Sequence, residues 1–289
     1  MIIFKYVEQL RQQLDLSRKN GKIIGFAPTM GALHEGHLSL VKNSKQETSL
    51  TVSSIFVNPT QFNDPKDFEK YPVSIDQDIY KLESAGCDIL FLPAINEIYP
   101  EGTGIKKEFD LGYLDQVMEA KYRPGHYNGV CMVVERLLKI VQPDYLFLGQ
   151  KDLQQCMVIR RLVELMNAQK KITIKVCPTV REDDGLAMSS RNLRLNKEER
   201  AKAKTIYQTL IFVKDHLNKY PLADLKRKAT DRLTEQGFRV DYVEIADGTT
   251  LKPLNEWDSK YNCVILAAAY LNDVRLIDNL VVATDLLTH

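Results

Sequence analysis

The chain has 289 residues, which suits one large or two medium domains with a sizeable core. Hydrophobic residues make up 44% of the chain and charged residues 27%, proportions that are typical of a globular protein. The 39 Lys and Arg residues nearly balance the 38 Asp and Glu residues, for a net charge of +1. This balance argues against a general electrostatic attraction to nucleic acid or to an anionic membrane surface and leaves a local basic patch open.

Cysteine usage and apolar runs bear on the compartment. The chain has no Cys-x-x-Cys pair, and its five cysteines are dispersed: Cys87, Cys131, Cys156, Cys177 and Cys263. An odd, scattered set predicts reduced core thiols in a cytoplasmic protein. The N-terminal apolar stretch is too short for a secretory signal, and the longest apolar run, Cys263 to Leu271, is far shorter than a membrane span. We therefore expect a cytosolic protein with no membrane partner.

The first part of the chain alternates apolar strand patterns with amphipathic helix patterns. The predicted strands are Ile23–Ala27, Leu50–Val57, Ile89–Leu92, Tyr145–Leu148 and Ile172–Val176. The predicted helices are Tyr6–Lys19, Gly36–Glu47, Ile75–Ala85, Val130–Val141 and Leu153–Met166. This alternation predicts an α/β fold with a doubly wound parallel sheet that is covered on both faces. Ligands of such sheets bind at the carboxyl ends of the strands.

The pattern changes after Val176. A charged linker, Arg181–Gly185, is followed by two predicted long helices, Lys197–Asn218 and Leu222–Gln236. Short predicted strands follow near Val240–Ile245, Cys263–Tyr270 and Val274–Ile277. We therefore predict two domains, an α/β domain over residues 1–184 and a smaller α+β domain over residues 185–289.

The most informative segment runs from Pro28 to His37, with the sequence PTMGALHEGH. It joins a predicted strand to a predicted helix through a Gly-containing turn, and the first turn of a helix leaves backbone N–H groups that bind anions. His34 and His37 add imidazole donors suited to phosphate oxygens. A structural histidine pair is the alternative. Zinc is a further alternative, but the metalloprotease pattern has His at i and i+4, whereas these lie at i and i+3 with no evident third ligand.

Two further segments follow predicted strands. In SIFVNPTQF the proline ends the strand and leaves Asn58 and Gln61 at its carboxyl edge, where amides can donate and accept at once. An Asn-Pro turn of purely structural use is the alternative. In LGQKDLQQ, Lys151 brings a positive charge to a strand end, and Asp152 can accept from a ribose or cap the helix. Gln155 lies one helical turn after Asp152.

Two loops complete the candidates. The loop DGLAMSSRN contains Ser donors and Arg191, which suit a phosphate chain; a plain linker with a capping serine is the alternative. The loop RPGHYNGV precedes the predicted helix at Val130 and offers Arg123 and His126 as lid or substrate contacts, with ordinary loop residues as an equal alternative. Asp76 and Asp78 are interpreted as helix-end charges rather than metal ligands.

Taken together, PTMGALHEGH, SIFVNPTQF, RPGHYNGV, LGQKDLQQ and DGLAMSSRN resemble the pantoate–β-alanine ligase family in order and approximate spacing. The resemblance covers nearly the whole chain. It implies a Rossmann-like nucleotidyltransferase fold, related to class I aminoacyl-tRNA synthetases, with a C-terminal α+β lid. HEGH is similar to the HIGH signature of that superfamily, and MSSRN is similar to its KMSKS loop.

The resemblance implies a two-step reaction. Pantoate attacks the α-phosphate of ATP to form pantoyl adenylate and pyrophosphate, and β-alanine then displaces AMP to form pantothenate. The implied requirement is alignment and charge stabilisation rather than a protein nucleophile. Mg²⁺ is expected on the phosphates, with no dedicated set of protein metal ligands.

The resemblance also implies residue roles. The implied ATP-binding residues are Pro28, Thr29, Met30, Gly31, Ala32, Leu33, His34, Glu35, Gly36, His37, Gly149, Gln150, Lys151, Asp152, Val180, Met188, Ser189, Ser190 and Arg191. The implied catalytic residues are His34, His37, Lys151, Ser189, Ser190 and Arg191. The expected substrate-binding residues are Met30, Asn58, Gln61, Arg123, His126 and Gln155.

Three alternatives remain at this point. One is an adenylyltransferase of the same superfamily that acts on another small acid or a phosphorylated acceptor. The second is a truncated aminoacyl-tRNA synthetase, which the neutral charge and the missing anticodon-binding region disfavour. The third is a non-catalytic nucleotide sensor. The resemblance, rather than any surface patch, implies a homodimer, and no nucleic-acid partner is expected.

Overall fold

A computed structural model describes residues 1–62, 65–104, 107–258 and 262–282. The chain divides into two compact units. The first contains residues 1–150 and 155–178, and the second contains residues 151–154 and 179 onward. The units therefore separate at Pro178 and Thr179, whereas the sequence predicts a boundary between residues 184 and 185.

The first unit contains a six-stranded sheet in which every pairing is parallel. Its strands are β1 (Ile2–Phe4), β2 (Ile24–Thr29), β3 (Leu50–Ile55), β4 (Ile89–Phe91), β5 (Tyr145–Gly149) and β6 (Thr173–Cys177). The strand order is β1-β4-β3-β2-β5-β6. The predicted doubly wound parallel sheet is confirmed. The edge strand β1 is absent from the sequence prediction, because three residues are too few to show a period.

Helices cover both faces of this sheet. They are α1 (Val7–Lys19), α2 (Glu35–Glu47), α3 (Pro65–Glu69), α4 (Ile75–Ser84), α5 (Ile95–Ile98), α6 (Glu119–Tyr122), α7 (His126–Val141) and α8 (Leu153–Leu165). Adjacent residues of β2 contribute to different hydrophobic clusters, Phe26 to one and Ala27 to another. Because side chains alternate along a strand, this assignment places one cluster on each face of the sheet.

Two predicted bounds differ from the structure. Strand β2 continues through Pro28 and Thr29, which the sequence assigns to the turn, because both residues pair with β3. Helix α7 begins at His126, four residues before the predicted start, after the left-handed residue Gly125 (φ 78°). More than half of the segment RPGHYNGV is therefore helical.

Helix α2 packs very closely on β2. A Cβ atom added to Gly25 would lie 2.1 Å from Ser44 Oγ and 2.7 Å from Thr48 Oγ1. The Ser44 hydroxyl is buried and lies 2.8 Å from Thr51 Oγ1 on β3. The absence of a side chain at Gly25 therefore allows α2 to lie against the strands that precede and follow it.

The second unit contains an antiparallel sheet of order β7-β8-β9. Its regular elements are the helices α9 (Lys197–Ala203), α10 (Thr205–His216) and α11 (Leu222–Glu235) and the strands β7 (Arg239–Asp247), β8 (Cys263–Leu271) and β9 (Val274–Val281). The helix predicted over Lys197–Asn218 is divided at Lys204, whose backbone (φ −57°, ψ −21°) approaches 3₁₀ geometry. A separate hydrophobic core joins these helices to the sheet. This α+β architecture agrees with the predicted fold class.

Candidate active site

The candidate site begins where β2 and β5 separate. Their pairing ends at Phe26 and Leu146, although β2 continues to Thr29 and β5 continues to Gly149. Strand β3 lies on the other side of β2, and after β4 the chain crosses back to β5, so the strand order reverses between β2 and β5. A parallel sheet opens a ligand crevice at such a switch point, outside the carboxyl ends of its strands. A Cβ atom added to Gly149 would meet no protein atom within 4 Å, which leaves open space above β5.

The loop from Met30 to Leu33 joins β2 to α2 in a strained conformation. Gly31 has a φ of 83° and Ala32 a φ of 48°, and the left-handed region is unfavourable for alanine. The buried carboxylate of Asp78 accepts hydrogen bonds from the backbone N–H groups of Ala32 and Leu33, both at 2.8 Å. These two charge-assisted bonds hold the loop in place. Asp78 is therefore a structural support of the loop, a role that its interpretation as a helix-end charge missed.

The two histidines of the motif lie at the start of α2. His34 is the N-cap and His37 lies in the first turn, with ring centroids 4.0 Å apart. The backbone N–H of His34 donates to His37 Nδ1 at 3.4 Å. In the neutral ring that contact assigns the proton to Nε2. Both side chains are half-buried beside the N-terminus of a 13-residue helix, a favourable position for phosphate.

Gln61 lies against Met30, as expected if both contact one substrate. Its side-chain Nε2 is 2.9 Å from Met30 Sδ, and its Oε1 accepts from Asn58 Nδ2 at 3.1 Å. Gln61 ends a 3₁₀ turn, Pro59–Gln61, that begins at the proline of the Asn-Pro pair and has Asn58 as its N-cap. The amide at this strand edge is therefore brought to the loop that precedes α2.

Asn58 supports the turn that carries Gln61 and has no exposed surface. Its Nδ2 donates to Gln61 Oε1 and to the Gly129 carbonyl, and its Oδ1 accepts from Tyr99 Oη at 2.8 Å. Asn58 is fully buried and engaged in these hydrogen bonds, through which it supports Gln61. Its contact with a substrate stays a prediction.

The helix α7 packs against the same turn. A Cβ atom added to Gly129 would lie 2.2 Å from the Thr60 carbonyl oxygen and 2.7 Å from Gln61 Cα. His126 is buried, and its Nδ1 lies 2.8 Å from the Gln61 carbonyl while its Nε2 lies 3.0 Å from Arg123 Nη1. Because a guanidinium only donates, Nε2 accepts and Nδ1–H donates to Gln61.

The sequence predicts a substrate contact for His126, which stays a prediction; the structure shows that this residue is buried. Its ring nitrogens face the protein, so it supports Gln61 as Asn58 does. Arg123 is half-buried and holds the ring of His126, with Glu119 Oε2 at 3.9 Å. Gly129 is a site residue that the sequence reasoning missed. A helix pattern extended to His126 would have placed this glycine on a packed helix.

After β5, a 3₁₀ turn carries Gln150, Lys151 and Asp152 into α8. Lys151 Nζ is 3.6 Å from Asp152 Oδ2, and the Lys151 carbonyl accepts from Asn279 Nδ2 at 2.9 Å. Gln155 follows on the first turn of α8 and is half-buried. Lys151 therefore follows the end of β5, where this strand no longer pairs with β2.

In the second unit, the other predicted nucleotide segment is a short hairpin. Arg181 and Ala187 form an isolated bridge, and the Met188 N–H donates to the Val180 carbonyl at 3.0 Å. Ser189 caps the 3₁₀ helix Ser190–Arg194 by accepting from the Arg191 N–H at 3.3 Å. Val180 and Met188 are therefore neighbours, although eight positions separate them in the sequence.

The described residues present neither a metal-binding cluster nor a membrane-spanning helix. Over the described ranges, no group of three or more His, Cys, Asp and Glu side chains is arranged to hold a metal ion. Within the same part of the chain, no helix combines the length and apolar character needed to cross a bilayer. Burial raises the pKa of Cys87, Cys131 and Cys263 to about 12, which makes these thiols poor nucleophiles.

Comparison with known proteins covers nearly the whole chain. A family model described as pantoate-beta-alanine ligase matches residues 2–281. The pantothenate synthetase of Cytophaga hutchinsonii is 43% identical over 285 residues, covering 98% of this chain and 99% of that protein. That of Azobacteroides pseudotrichonymphae is 45% identical over 285 residues, covering 97% and 99%.

Solved structures give the same result. Pantothenate synthetase from Thermus thermophilus superposes with a TM-score of 0.89 at 38% identity, covering 98% of this chain and 100% of that one. A pantoate-beta-alanine ligase from Francisella tularensis, complexed with beta-gamma ATP and beta-alanine, gives a TM-score of 0.82 at 37% identity, covering 99% of both chains.

Proposed function

The chain belongs to the pantoate–β-alanine ligase family, and from that premise we propose how its own residues join pantoate to β-alanine with ATP. The enzyme is an ATP-dependent ligase. The observation that carries the proposal is the placement of two imidazoles at the N-terminus of α2, beside the strand end where Gln61 meets Met30.

The proposed reaction has two steps. A carboxylate oxygen of pantoate bonds to the α-phosphorus of ATP as the bond to the pyrophosphate oxygen breaks, which leaves pantoyl adenylate. The amine nitrogen of β-alanine then bonds to the acyl carbon, AMP leaves, and the nitrogen loses a proton. The first step brings together two anions that repel each other, the carboxylate and the triphosphate. The second step needs the amine aligned with the acyl carbon. The protein therefore contributes mainly alignment and charge stabilisation.

The loop before α2 and the first turn of that helix bind the nucleotide in this proposal. Residues 28–37 line the ATP site, and backbone N–H groups at the start of α2 face phosphate oxygens. His34 and His37 donate to the phosphates, and His37 stabilises the leaving pyrophosphate through Nε2–H. The support from Asp78 keeps the loop in the conformation that presents these donors.

Pantoate lies at the adjoining strand edges in this proposal. Gln61 and Gln155 bind its polar groups, and Met30 contacts its apolar part, with Gln61 also near β-alanine. A pair of amides suits an acid that also carries hydroxyl groups, because each amide donates and accepts. The hydrogen bonds from Asn58 and the packing of α7 against the turn support this assignment for Gln61.

The remaining nucleotide contacts come from five residues and the segment after β5. Lys151 binds phosphate and Asp152 the ribose, with Gly149 and Gln150 beside them. Val180 contacts adenine through its backbone, and Met188, Ser189, Ser190 and Arg191 cover the nucleotide. The short hairpin that joins Val180 to Met188 supports placing both on one ligand.

Mg²⁺ is proposed as part of the nucleotide substrate. This ion retains several water ligands and is usually held by substrate phosphates with one or two carboxylates. Because the described residues offer no cluster of three potential protein ligands, phosphate oxygens and water would supply most of its coordination. When bound, the ion neutralises phosphate charge.

We also propose a homodimer in the cytoplasm. The family membership supports the dimer, and the five free, buried cysteines are consistent with a reducing compartment. Light scattering coupled to gel filtration measures the oligomeric state. A mass near twice 33.1 kDa supports the dimer, and a mass of one chain contradicts it.

Isotope exchange between pyrophosphate and ATP tests the reaction. Exchange that requires pantoate but not β-alanine supports a pantoyl-adenylate intermediate, and addition of β-alanine should then yield pantothenate and AMP. No exchange with pantoate, but exchange with another acid or a phosphorylated acceptor, would instead favour an adenylyltransferase. Absence of any exchange or product with the purified full chain would favour a nucleotide-binding protein without turnover.

A further inference from the structure

A buried ion pair in the second unit has no part in the proposed chemistry. Arg181 and Asp278 form a bidentate ion pair, with Nη1–Oδ2 at 2.6 Å and Nη2–Oδ1 at 3.0 Å. The Asp278 side chain has no exposed surface. Burial raises the pKa of the Asp278 carboxyl above its ordinary value, and Arg181 opposes that rise. The pair therefore joins a fully buried carboxylate to a partly buried guanidinium, and such a pair is weak evidence for added stability.

Arg181 shapes the hairpin that carries Val180 and Met188. Its guanidinium donates to the Gly185 carbonyl at 3.1 Å and lies 4.0 Å from the Tyr207 ring centroid. A Cβ atom at Gly185 would lie 2.3 Å from that ring, so the turn packs tightly against Tyr207. The same guanidinium donates to the Asn279 carbonyl at 3.2 Å.

Asn279 extends this network to the segment after β5. Its backbone N–H donates to Asp278 Oδ1 at 2.8 Å, and its side-chain Nδ2 donates to the Lys151 carbonyl at 2.9 Å. Asn279 is 3% exposed. The chain of contacts therefore runs from Arg181 through Asp278 and Asn279 to the backbone of Lys151.

We propose that Asn279, held by the Arg181–Asp278 pair, is a positioning residue for Lys151. It fixes the Lys151 backbone so that the ammonium group has one approach to the nucleotide phosphates. The same ion pair holds the hairpin of Val180 and Met188, so one buried charge pair sets two proposed nucleotide contacts. This inference rests on the proposed function of Lys151 as a phosphate-binding residue.

The substitution Asn279→Asp tests the contact. It keeps the shape of the side chain but replaces the donor with a carboxylate oxygen that faces the Lys151 carbonyl. We expect the KM for ATP in pantoate-dependent pyrophosphate exchange to rise about tenfold, with the KM for pantoate changed less than about twofold. A purely structural defect would instead lower the active fraction and leave both KM values unchanged. The fluorescence of Trp257, the single tryptophan, reports whether the second unit is folded.

Asn272→Asp is the matched control, because it makes the same change on a side chain of the second unit that contacts Glu199 rather than Lys151. Its KM for ATP should stay within about twofold of the wild-type value. If Asn279→Asp does not fold, Asn279→Ala removes the donor without adding charge and decides the question. A folded Asn279 variant with a wild-type KM for ATP overturns the inference.

A double-mutant cycle separates this inference from the proposed function. Lys151→Ala alone should raise the KM for ATP or lower the exchange rate at least about tenfold. If it does not, the proposed role of Lys151 fails. If it does, Asn279→Asp should add less than about twofold in the Lys151→Ala background. A full additional tenfold effect there would show that Asn279 does not act through Lys151, and would overturn the inference alone.

Discussion

Asp78 is the residue on which the loop before α2 depends most directly. Both of its oxygens accept backbone hydrogen bonds from residues 32 and 33, and Ala32 sits in a left-handed conformation that alanine rarely adopts. Lys81 of the same helix donates to the Leu33 carbonyl at 2.6 Å. Helix α4 therefore holds the loop from both its N–H and its carbonyl side.

The substitution Asp78→Asn should loosen this loop. An amide presents an NH₂ group to one of the two backbone N–H donors, which leaves a buried donor unsatisfied at a cost of about 1–3 kcal/mol. We expect kcat/KM for ATP to fall at least about tenfold and the free energy of unfolding to fall by a similar 1–3 kcal/mol. Steady-state exchange kinetics and urea unfolding measure the two. Asp76→Asn, an exposed position in the same helical turn, is the control and should be near wild type.

His37 is the second residue for which a large effect is expected. If its Nε2–H stabilises the leaving pyrophosphate, His37→Ala should lower the rate of pantoate-dependent exchange by about a hundredfold or more. His216→Ala is the matched control. Like His37, His216 lies on a helix, and its Nδ1 is hydrogen-bonded to the backbone, in this case to the Phe212 carbonyl. A His37→Ala rate within a few-fold of wild type would remove this residue from the mechanism.

Gln155 has a distinct expected signature. Because it is assigned to pantoate, Gln155→Ala should raise the KM for pantoate at least about tenfold and the KM for ATP less than about twofold. Gln12→Ala on helix α1 is the control. Equal rises in both KM values would contradict the assignment of Gln155.

At the scale of elements, the contact between α7 and the turn Pro59–Gln61 decides where Gln61 lies. The glycine at position 129 lets the two backbones approach, and Asn58 and His126 each form a hydrogen bond with Gln61. The three contacts join protein groups only, so we expect this pair of elements to hold Gln61 in the position that the proposal gives it.

Gly129→Ala tests this packing. Alanine would favour the helix by about 0.5–1 kcal/mol, but its Cβ would meet the backbone of residues 60 and 61 at 2.2–2.7 Å. Overpacking costs about 1–3 kcal/mol, so we expect a net loss of stability and a KM for pantoate raised about tenfold. Gly104→Ala, with no atom within 4 Å of the added Cβ, is the control. A Gly129→Ala enzyme with greater stability and an unchanged KM would refute the packing argument.

At the scale of the whole molecule, each unit has its own sheet and its own hydrophobic packing. In the second unit, the hydrogen bonds of Arg200 lower the pKa of the Asp184 carboxyl. A lowered carboxyl pKa stabilises the folded state above the pKa of the unfolded chain, and that contribution is lost as the pH falls. The pKa of Asp278 is raised, so its contribution to stability changes with pH in the opposite direction. The contribution of Asp184 is therefore measured as the difference between wild type and an Asp184 variant.

Asp184→Asn should therefore change the acid limb of the stability curve. We expect a loss of about 1 kcal/mol at pH 7, present above about pH 5 and shrinking as the pH falls below about 4. Urea unfolding followed by Trp257 fluorescence reports this unit. The control Asp224→Asn removes an exposed pair with Arg227. A difference between wild type and Asp184→Asn that stays constant from pH 7 to pH 3 would contradict the assignment.

Local patterns in the chain were sufficient for the fold class and for the location of the motifs. The alternation of apolar strands with amphipathic helices implies a parallel sheet, and the carboxyl ends of parallel strands meet at one edge. The segments that follow β2, β3 and β5 could thus be assigned to one region before any contact was known. Helix bounds were less certain, as the early start of α7 and the break at Lys204 show.

Which residues support the loops and turns of the candidate site depended on contacts between positions that are far apart in the sequence. Asp78 binds an amide 46 positions away, Asn58 a carbonyl 71 positions away, and Asn279 a carbonyl 128 positions away. A periodic pattern reports the neighbours of a residue along its own helix or strand, because that is the range over which backbone geometry repeats. Partners across the fold follow instead from close packing and from the need of buried polar groups for hydrogen bonds, and these arise once the chain has folded.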